Sequence, residues 1–331
     1  MFMGIVLTGD RPTGKLHLGH YAGSLLSRIE LQNEHDQYVM IADLQAMTDS
    51  NSDLIKNNIL EVMKDYISVG LDPNKTTFLL QSAIPELTEL TFHYMNLVTL
   101  GRLERNPTVK NEIRQKSYEN SLPAGFLCYP VSQAADITAF QADLVPVGND
   151  QIPMIEQTNE IVRKFSSSHG SGAIKEVKAI LSKTQRLIGI DGQAKASKSL
   201  GNAIILSDSS EEIKRKVFDM YTDPNHIHVK DPGEVEGNVV FEYLDAFYGD
   251  KEHLEELKIH YKKGGLGDFA LKKLLNQVLQ DLIAPIREKR ESLNDLDMKD
   301  ILWKGTQKAR VVASNTLSKV RKAIGIDFFN L

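Results

Sequence analysis

The fold class expected of this chain is α/β: a doubly wound parallel sheet followed by an all-α helical domain. Two patterns predict it. β-rich apolar runs at 4–8, 38–43, 76–81 and 143–147 alternate with helical spacing at about 20–34, 53–69, 86–100 and 151–165. Alternation of this kind builds parallel β-α-β units, and ligands of such sheets collect at the carboxyl ends of the strands. After Ile204-Ile205-Leu206 the strand pattern stops, Ser209 and Glu212 have capping-box spacing, and the rest reads as helix broken at Gly264-Gly265. Two domains are therefore expected, 1–203 with a helical insertion at about 100–142, and 204–331.

His17-Leu18-Gly19-His20 follows the apolar run at 4–8, and helical spacing begins behind it with Tyr21, Leu25, Leu26 and Ile29. At a strand-to-helix turn, unpaired amides and the positive end of the helix favour an anion. Two imidazoles three residues apart share one helical face, so both can donate to phosphate oxygens. Gly19 lets a flat ring such as adenine approach the backbone. Taken alone, a His-x-x-His pair is more often a solvated surface pair. Gly9 to Lys15 also has the spacing of a phosphate-cradling P-loop, but Leu16 follows where Mg²⁺ needs a hydroxyl, and Pro12 removes an amide. A P-loop is rejected.

Further along, 166–172 reads as a flexible, serine- and glycine-rich surface connector with a solvated His169. Next comes Lys195-Ala196-Ser197-Lys198-Ser199, whose two ammonium groups can neutralise a leaving pyrophosphate, with Gly201 behind them to suit a mobile loop. A lysine and serine run by itself is usually a wet loop. The conjunction with the histidine turn, in this order, gives both strings their meaning.

Composition narrows the function classes. The chain has 331 residues, 41% hydrophobic and 25% charged, as ordinary globular proteins do. No apolar run approaches a membrane span and no signal-peptide pattern opens the chain, so a cytoplasmic protein is expected, with no membrane partner. One cysteine, Cys128, excludes an intrachain disulfide and a thiolate cluster and is read as a small core residue. A net charge of −5 argues against general nucleic-acid coating. One local exception lies at 304–326, where Lys304, Lys308, Arg310, Lys319, Arg321 and Lys322 occur with no acidic residue. It is either a solvated helix face or an RNA surface. Trp303 is read as a packing anchor.

The two strings together resemble the signature pair of class I aminoacyl-tRNA synthetases, whose catalytic domain is Rossmann-like. The stretch from Gly9 to Leu25, with Thr13-Gly14 ahead of the first histidine, and Val145 to Gln151 look like the tryptophanyl-tRNA synthetases; Tyr129-Pro130-Val131-Ser132-Gln133-Ala134-Ala135-Asp136 is similar to that family's amino-acid pocket helix. The resemblance covers about 200 residues. It implies an ATP-dependent ligase that forms tryptophanyl-adenylate from tryptophan and Mg·ATP and passes it to tRNA(Trp), with ATP and Mg²⁺ as the only cofactors, no resident metal, and a homodimer. It implies catalytic roles for His17, His20, Lys195 and Lys198. ATP would also meet Arg11, Thr13, Gly14, Gly19, Gly148, Asp150, Ser197 and Ser199. Tryptophan would meet Leu7, Gly9, Tyr129, Gln133, Asp136 and Gln151, with Tyr129 and Gln151 toward the α-ammonium and Asp136 accepting the indole N–H. Lys319, Arg321 and Lys322 would meet tRNA.

Several residues depart from the usual family pattern: Gln45 for a histidine, Gln133 for a methionine, Ala196 for a methionine, and Ile152-Pro153-Met154 for a more polar run. These imply a divergent subgroup of bacterial type. Tyr129, Gln133 and Asp136 also reproduce the spacing seen in tyrosyl-tRNA synthetases, and a phenol O–H would satisfy Asp136 as an indole N–H would. Leu7 favours tryptophan, because tyrosyl enzymes carry a tyrosine there. A tyrosyl enzyme, a small nucleotidyltransferase and a non-catalytic synthetase paralogue stay open as alternatives.

Overall fold

The computed structural model describes residues 3–48, 52–118, 120–181, 187–198 and 200–329. Its sheet comprises β1 (Ile5–Asp10), β2 (Asp36–Ile41), β3 (Thr76–Leu80), β4 (Leu144–Val147) and β5 (Lys178–Leu181). The spatial order is β3-β2-β1-β4-β5 and every pairing is parallel. Winding runs outward from β1 in both directions, so the sheet switches between β1 and β4 and leaves a crevice at their carboxyl ends. Val6 and Leu7 on β1 and Val39 to Ile41 on β2 are buried, as strands covered on both faces require. Gly9 keeps β1 against β2 to its end: a Cβ there would lie 2.5 Å from the Met40 carbonyl oxygen.

The fifth strand has no counterpart in the expected runs. Its four residues lie on the sheet edge, three of them exposed, so no apolar pattern marks them. The 166–172 connector is also shorter than expected. Ser166 to His169 form the last turn of the Ile152–His169 helix, which ends at Gly170 with φ 88°. Serine only mildly disfavours helix, and Phe165 is buried beneath this turn with its ring 5.1 Å from that of His169. The segment 100–142 contains the helices Leu100–Glu104, Pro107–Gln115 and Ala124–Ala139.

Beyond the sheet the chain is helical: Ser210–Phe218, opened by the Ser209–Glu212 capping box, then Val239–Phe247, Lys251–Lys263, Asp268–Ser292 and Asp295–Ile324. The expected break at Gly264-Gly265 is present, with φ 84° and 110°. The last helix returns to cover the β3 edge. Thr306 Oγ1 accepts the Leu80 N–H at 3.0 Å, and Gly305 lies so close to Phe78 that no side chain fits. Ala309, Ala313, Leu317 and Val320 then join the same hydrophobic cluster as Leu7, Tyr38, Leu79 and Val145 of the sheet. This phase corrects the reading of Trp303. Its neighbour Leu302 faces inward, and one helical step away Trp303 is 61% exposed, on the rim of a surface groove.

Candidate active site

His17 caps the helical turn after β1. Its Nδ1 accepts the Gly19 N–H at 3.0 Å, while His20 Nδ1 accepts the His17 N–H at 3.3 Å. The two imidazoles thus form a reciprocal capping box. Because each Nδ1 accepts, the proton of each neutral ring is assigned to Nε2. Burial lowers the His17 pKa to about 3, helped by His20 and the two signature lysines. Burial likewise takes His20 to about 4, against the pull of Asp10. Near neutral pH both rings are therefore uncharged Nε2–H donors. Gly19 is demanded first by the His17 ring itself, since a Cβ would lie 2.8 Å from its Cε1. Tyr21–Leu25 then takes a π-helical turn, with Ser24 Oγ donating to the His20 carbonyl at 3.0 Å.

The second signature folds onto the first. Lys198 Nζ donates to the Gly14 carbonyl at 2.9 Å, and Thr13 Oγ1 is 3.4 Å away. The connecting chain adds Leu18 N–H to Ile204 O at 2.9 Å and Leu206 N–H to Leu16 O at 3.0 Å. Asn202 Oδ1 accepts the Ser197 N–H at 2.8 Å and its amide donates to Asp191 at 3.0 Å, which ties Ser197 to Asp191. Ala196 is buried close to Gly19. Lys195 stands exposed, and Ser199 lies outside the described residues.

Beside this junction a cavity of about 240 Å³ opens between β1, β4 and the Ala124–Ala139 helix. Leu7, Met40, Val145 and Ile137 wall it with apolar groups, and Gly9, Arg11, Gln45, Glu112, Tyr129, Gln133, Asp136 and Gln151 also line it. All six residues expected at tryptophan are thereby brought together. Asp136 is buried, and its Oδ2 accepts Gln81 Nε2 at 2.8 Å. Gln81 Oε1 takes the Gln45 N–H at 3.2 Å, which fixes that amide's orientation. The other oxygen, Asp136 Oδ1, is buried with no hydrogen-bond partner among the described residues. Burial raises the Asp136 pKa to about 7, against the bond from Gln81 and with Asp43 adding to the rise. The Tyr129 hydroxyl likewise has no partner at hydrogen-bond distance among the described residues, and burial, with the Glu112 carboxylate, pushes the phenol well up. Gly148 caps the Asn149–Gln151 turn; Asp150 on that turn is exposed and is anchored through its carbonyl, which accepts from Thr108 Oγ1 at 2.6 Å.

Sequence reasoning missed a buried triad under the histidine turn. Asp10 Oδ2 accepts Arg28 Nη1 at 2.6 Å and the Tyr66 hydroxyl at 2.7 Å. Burial alone would raise the Asp10 pKa, but Arg28 outweighs it and holds the carboxyl well below the usual range. Its one signal was an arginine within the helical stripe of Leu25 and Ile29. Gln81, Glu112 and Asn202 were also missed.

Within the basic run, Arg321 is already paired. Its guanidinium makes a bidentate pair with Glu89 at 2.7 and 2.5 Å, and Arg310 pairs with Glu86 at 3.1 Å. Lys308 bonds Thr77 and Lys304 pairs with Asp300. Lys308, Arg310 and Arg321 thus tie the last helix to other elements and the Lys304 pair stays within the helix, whereas Lys319 and Lys322 are exposed.

Residues 4–284 match the model of the class I tRNA synthetases of the W and Y type, and the chain belongs to that family. It is 60% identical to the tryptophan–tRNA ligase of Clostridium longisporum over 98% of each chain, and 56% identical to that of Streptococcus pyogenes over 98% of this chain and 99% of the relative. Within the family it thus stands with the tryptophan–tRNA ligases of bacterial type. Among solved structures, the Campylobacter jejuni tryptophanyl-tRNA synthetase complexed with ADP and tryptophan has a TM-score of 0.85 at 33% identity, covering 97% of this chain and 99% of that one. The Aeropyrum pernix tyrosyl-tRNA synthetase, with a TM-score of 0.69 at 22% identity and 92% and 90% coverage, shares the fold.

Proposed function

We propose that the chain is an ATP-dependent tryptophan–tRNA ligase. A carboxylate oxygen of tryptophan attacks the α-phosphorus of Mg·ATP, the bond to pyrophosphate breaks, and the aminoacyl group then moves from the adenylate to the terminal ribose of tRNA(Trp). No enzyme nucleophile is needed. His17 and His20 offer Nε2–H donors to phosphate oxygens without adding charge. Lys198 is held by the neutral oxygens of Gly14 and Thr13, so its charge stays available to the leaving pyrophosphate, with Lys195 beside it. Arg11, Thr13, Gly14, Gly19, Gly148, Asp150 and Ser197 complete the ATP surface, and Mg²⁺ enters as part of the nucleotide substrate.

The observation that carries the reading is the unpartnered Asp136 Oδ1 in a cavity that Leu7, Met40, Ile137 and Val145 also wall. An indole nitrogen only donates and a carboxylate only accepts. Tyr129 and Gln151 face the same cavity and suit the α-ammonium. Leu7, buried there, gives a phenol oxygen no second partner. Pyrophosphate exchange measured across the amino acids is expected to favour tryptophan over tyrosine by about 10³ or more, because a site that leaves buried polar groups unmatched discriminates strongly. Equal exchange with tyrosine would sink the assignment.

The enzyme is read as cytoplasmic; no helix of the described residues is long and apolar enough to cross a membrane. It is read as a homodimer; exposed Leu44 and Met47 line a groove that shares Gln45, Thr48, Phe126 and Tyr129 with the amino-acid cavity. For tRNA, the reading retains Lys319 and Lys322. Replacing both with Gln is expected to flatten the salt dependence of tRNA binding by up to about two phosphate contacts while sparing tryptophan activation. An unchanged slope would leave them as solvated charges.

A further inference from the structure

The Asp268–Ser292 helix lies far along the chain from the histidine turn, yet its last turns grip both halves of the junction. Arg290 Nε donates to Asp65 Oδ1 at 2.7 Å, and the other oxygen of that carboxylate, Oδ2, accepts the Leu16 N–H at 2.7 Å. Leu16 is the residue immediately before His17. Asp65 is completely buried, and Arg290 Nη2 also reaches Glu61 Oε2 at 2.6 Å. One turn earlier, Arg287 Nη1 donates to the Asp208 carbonyl at 3.0 Å. The Asp208 carboxylate in turn accepts the Ile205 N–H at 2.9 Å and Lys216 Nζ at 2.6 Å, on the segment that pairs with Leu16 and Leu18.

We infer that Asp65 and Arg290 are positioning residues for the ATP site: the arginine holds the buried carboxylate, and the carboxylate holds the backbone at Leu16, which sets where the His17 and His20 donors point. This rests on the reading of the histidine turn as the ATP phosphate site. Neither side chain lines the amino-acid cavity, so the effect falls on ATP and not on tryptophan. A misplacement of about 1 Å at a donor pair can cost up to about 10² in rate.

The test compares Arg290→Gln, Arg290→Lys and the double variant Asp65→Asn with Arg290→Gln in the full-length enzyme, by steady-state pyrophosphate exchange, tryptophan binding and thermal melting. Arg290→Gln leaves a buried carboxylate without its cation, so it is expected to lower the melting temperature and to reduce kcat/KM for ATP about 10- to 10²-fold, with tryptophan Kd changed less than about twofold. In the double variant the Asn carbonyl still accepts the Leu16 N–H and no charge is stranded, so most of the ATP efficiency should return. Arg290→Lys, which keeps one cation but not the fork, should fall between. If Arg290→Gln does not fold, the double variant and Arg290→Lys carry the same comparison. ATP parameters unchanged in folded Arg290→Gln, an equal loss in tryptophan affinity, or failure of the folded double variant to recover would each overturn the inference. Absence of exchange in the unaltered enzyme with every amino acid would instead overturn the ATP-site reading beneath it.

Discussion

Lys198→Ala is expected to lower kcat for adenylate formation by about 10²–10³ while tryptophan Kd stays within about twofold, because the charge this ammonium meets develops on pyrophosphate as the bond breaks. The geometry sharpens the expectation. Lys198 Nζ already lies over the Gly14 carbonyl, so the cation is delivered to the phosphate side of the junction before any substrate arrives. Burial lowers its pKa, against the opposing pull of Asp10 and Asp65, and that partial desolvation strengthens its interaction with an anion. Pyrophosphate exchange and tryptophan binding measured on one preparation separate the two quantities. Loss of tryptophan binding with intact turnover would contradict the role.

What could be read in the sequence was chemistry concentrated in short strings. The His17 and Lys195 strings each sit where the chain changes from one kind of element to another, and their meeting needed only a parallel sheet to bring strand ends together. Tyr129, Gln133 and Asp136 share one helix, so their convergence on a cavity was legible from spacing and resemblance. Partners set by tertiary packing were not. Asp10 finds Tyr66 56 residues away, and Asp136 finds Gln81 across 55 residues. Charge read along one dimension also lacks its partners: Arg310 and Arg321 meet Glu86 and Glu89, 224 and 232 residues upstream. Trp303 sits one helical step from the buried Leu302, and a single aromatic residue does not reveal the phase of its helix. The edge strand β5 escaped because exposed four-residue strands carry almost no periodicity.

Acidification through pH 7 is expected to weaken tryptophan binding, and Asp136→Asn is expected to abolish that dependence. The Asp136 carboxyl titrates near 7 against an ordinary value of 3.8, mainly because it is buried. An indole N–H on the free Oδ1 prefers the ionised acid, since a charged acceptor makes the stronger bond. Binding therefore expels a proton wherever the free enzyme holds one, and tryptophan Kd rises by up to about tenfold per unit as pH falls below 7. Calorimetry at pH 6 in buffers of different ionisation heat should find close to one proton released by the unaltered enzyme and none by Asp136→Asn. Asp136→Ala, which removes the acceptor, should cost about 1.5–3 kcal/mol of affinity, or roughly 10- to 150-fold. Stability runs the opposite way. A carboxyl whose folded pKa is raised contributes stability fully below the unfolded value of 3.8 and loses it as pH rises through about 7. The ligand-free Asp136→Asn enzyme should accordingly melt higher than the parent at pH 8, with a smaller gain at pH 5. A tryptophan affinity that is flat from pH 6 to 8 in the unaltered enzyme would mean that Asp136 is not the indole acceptor.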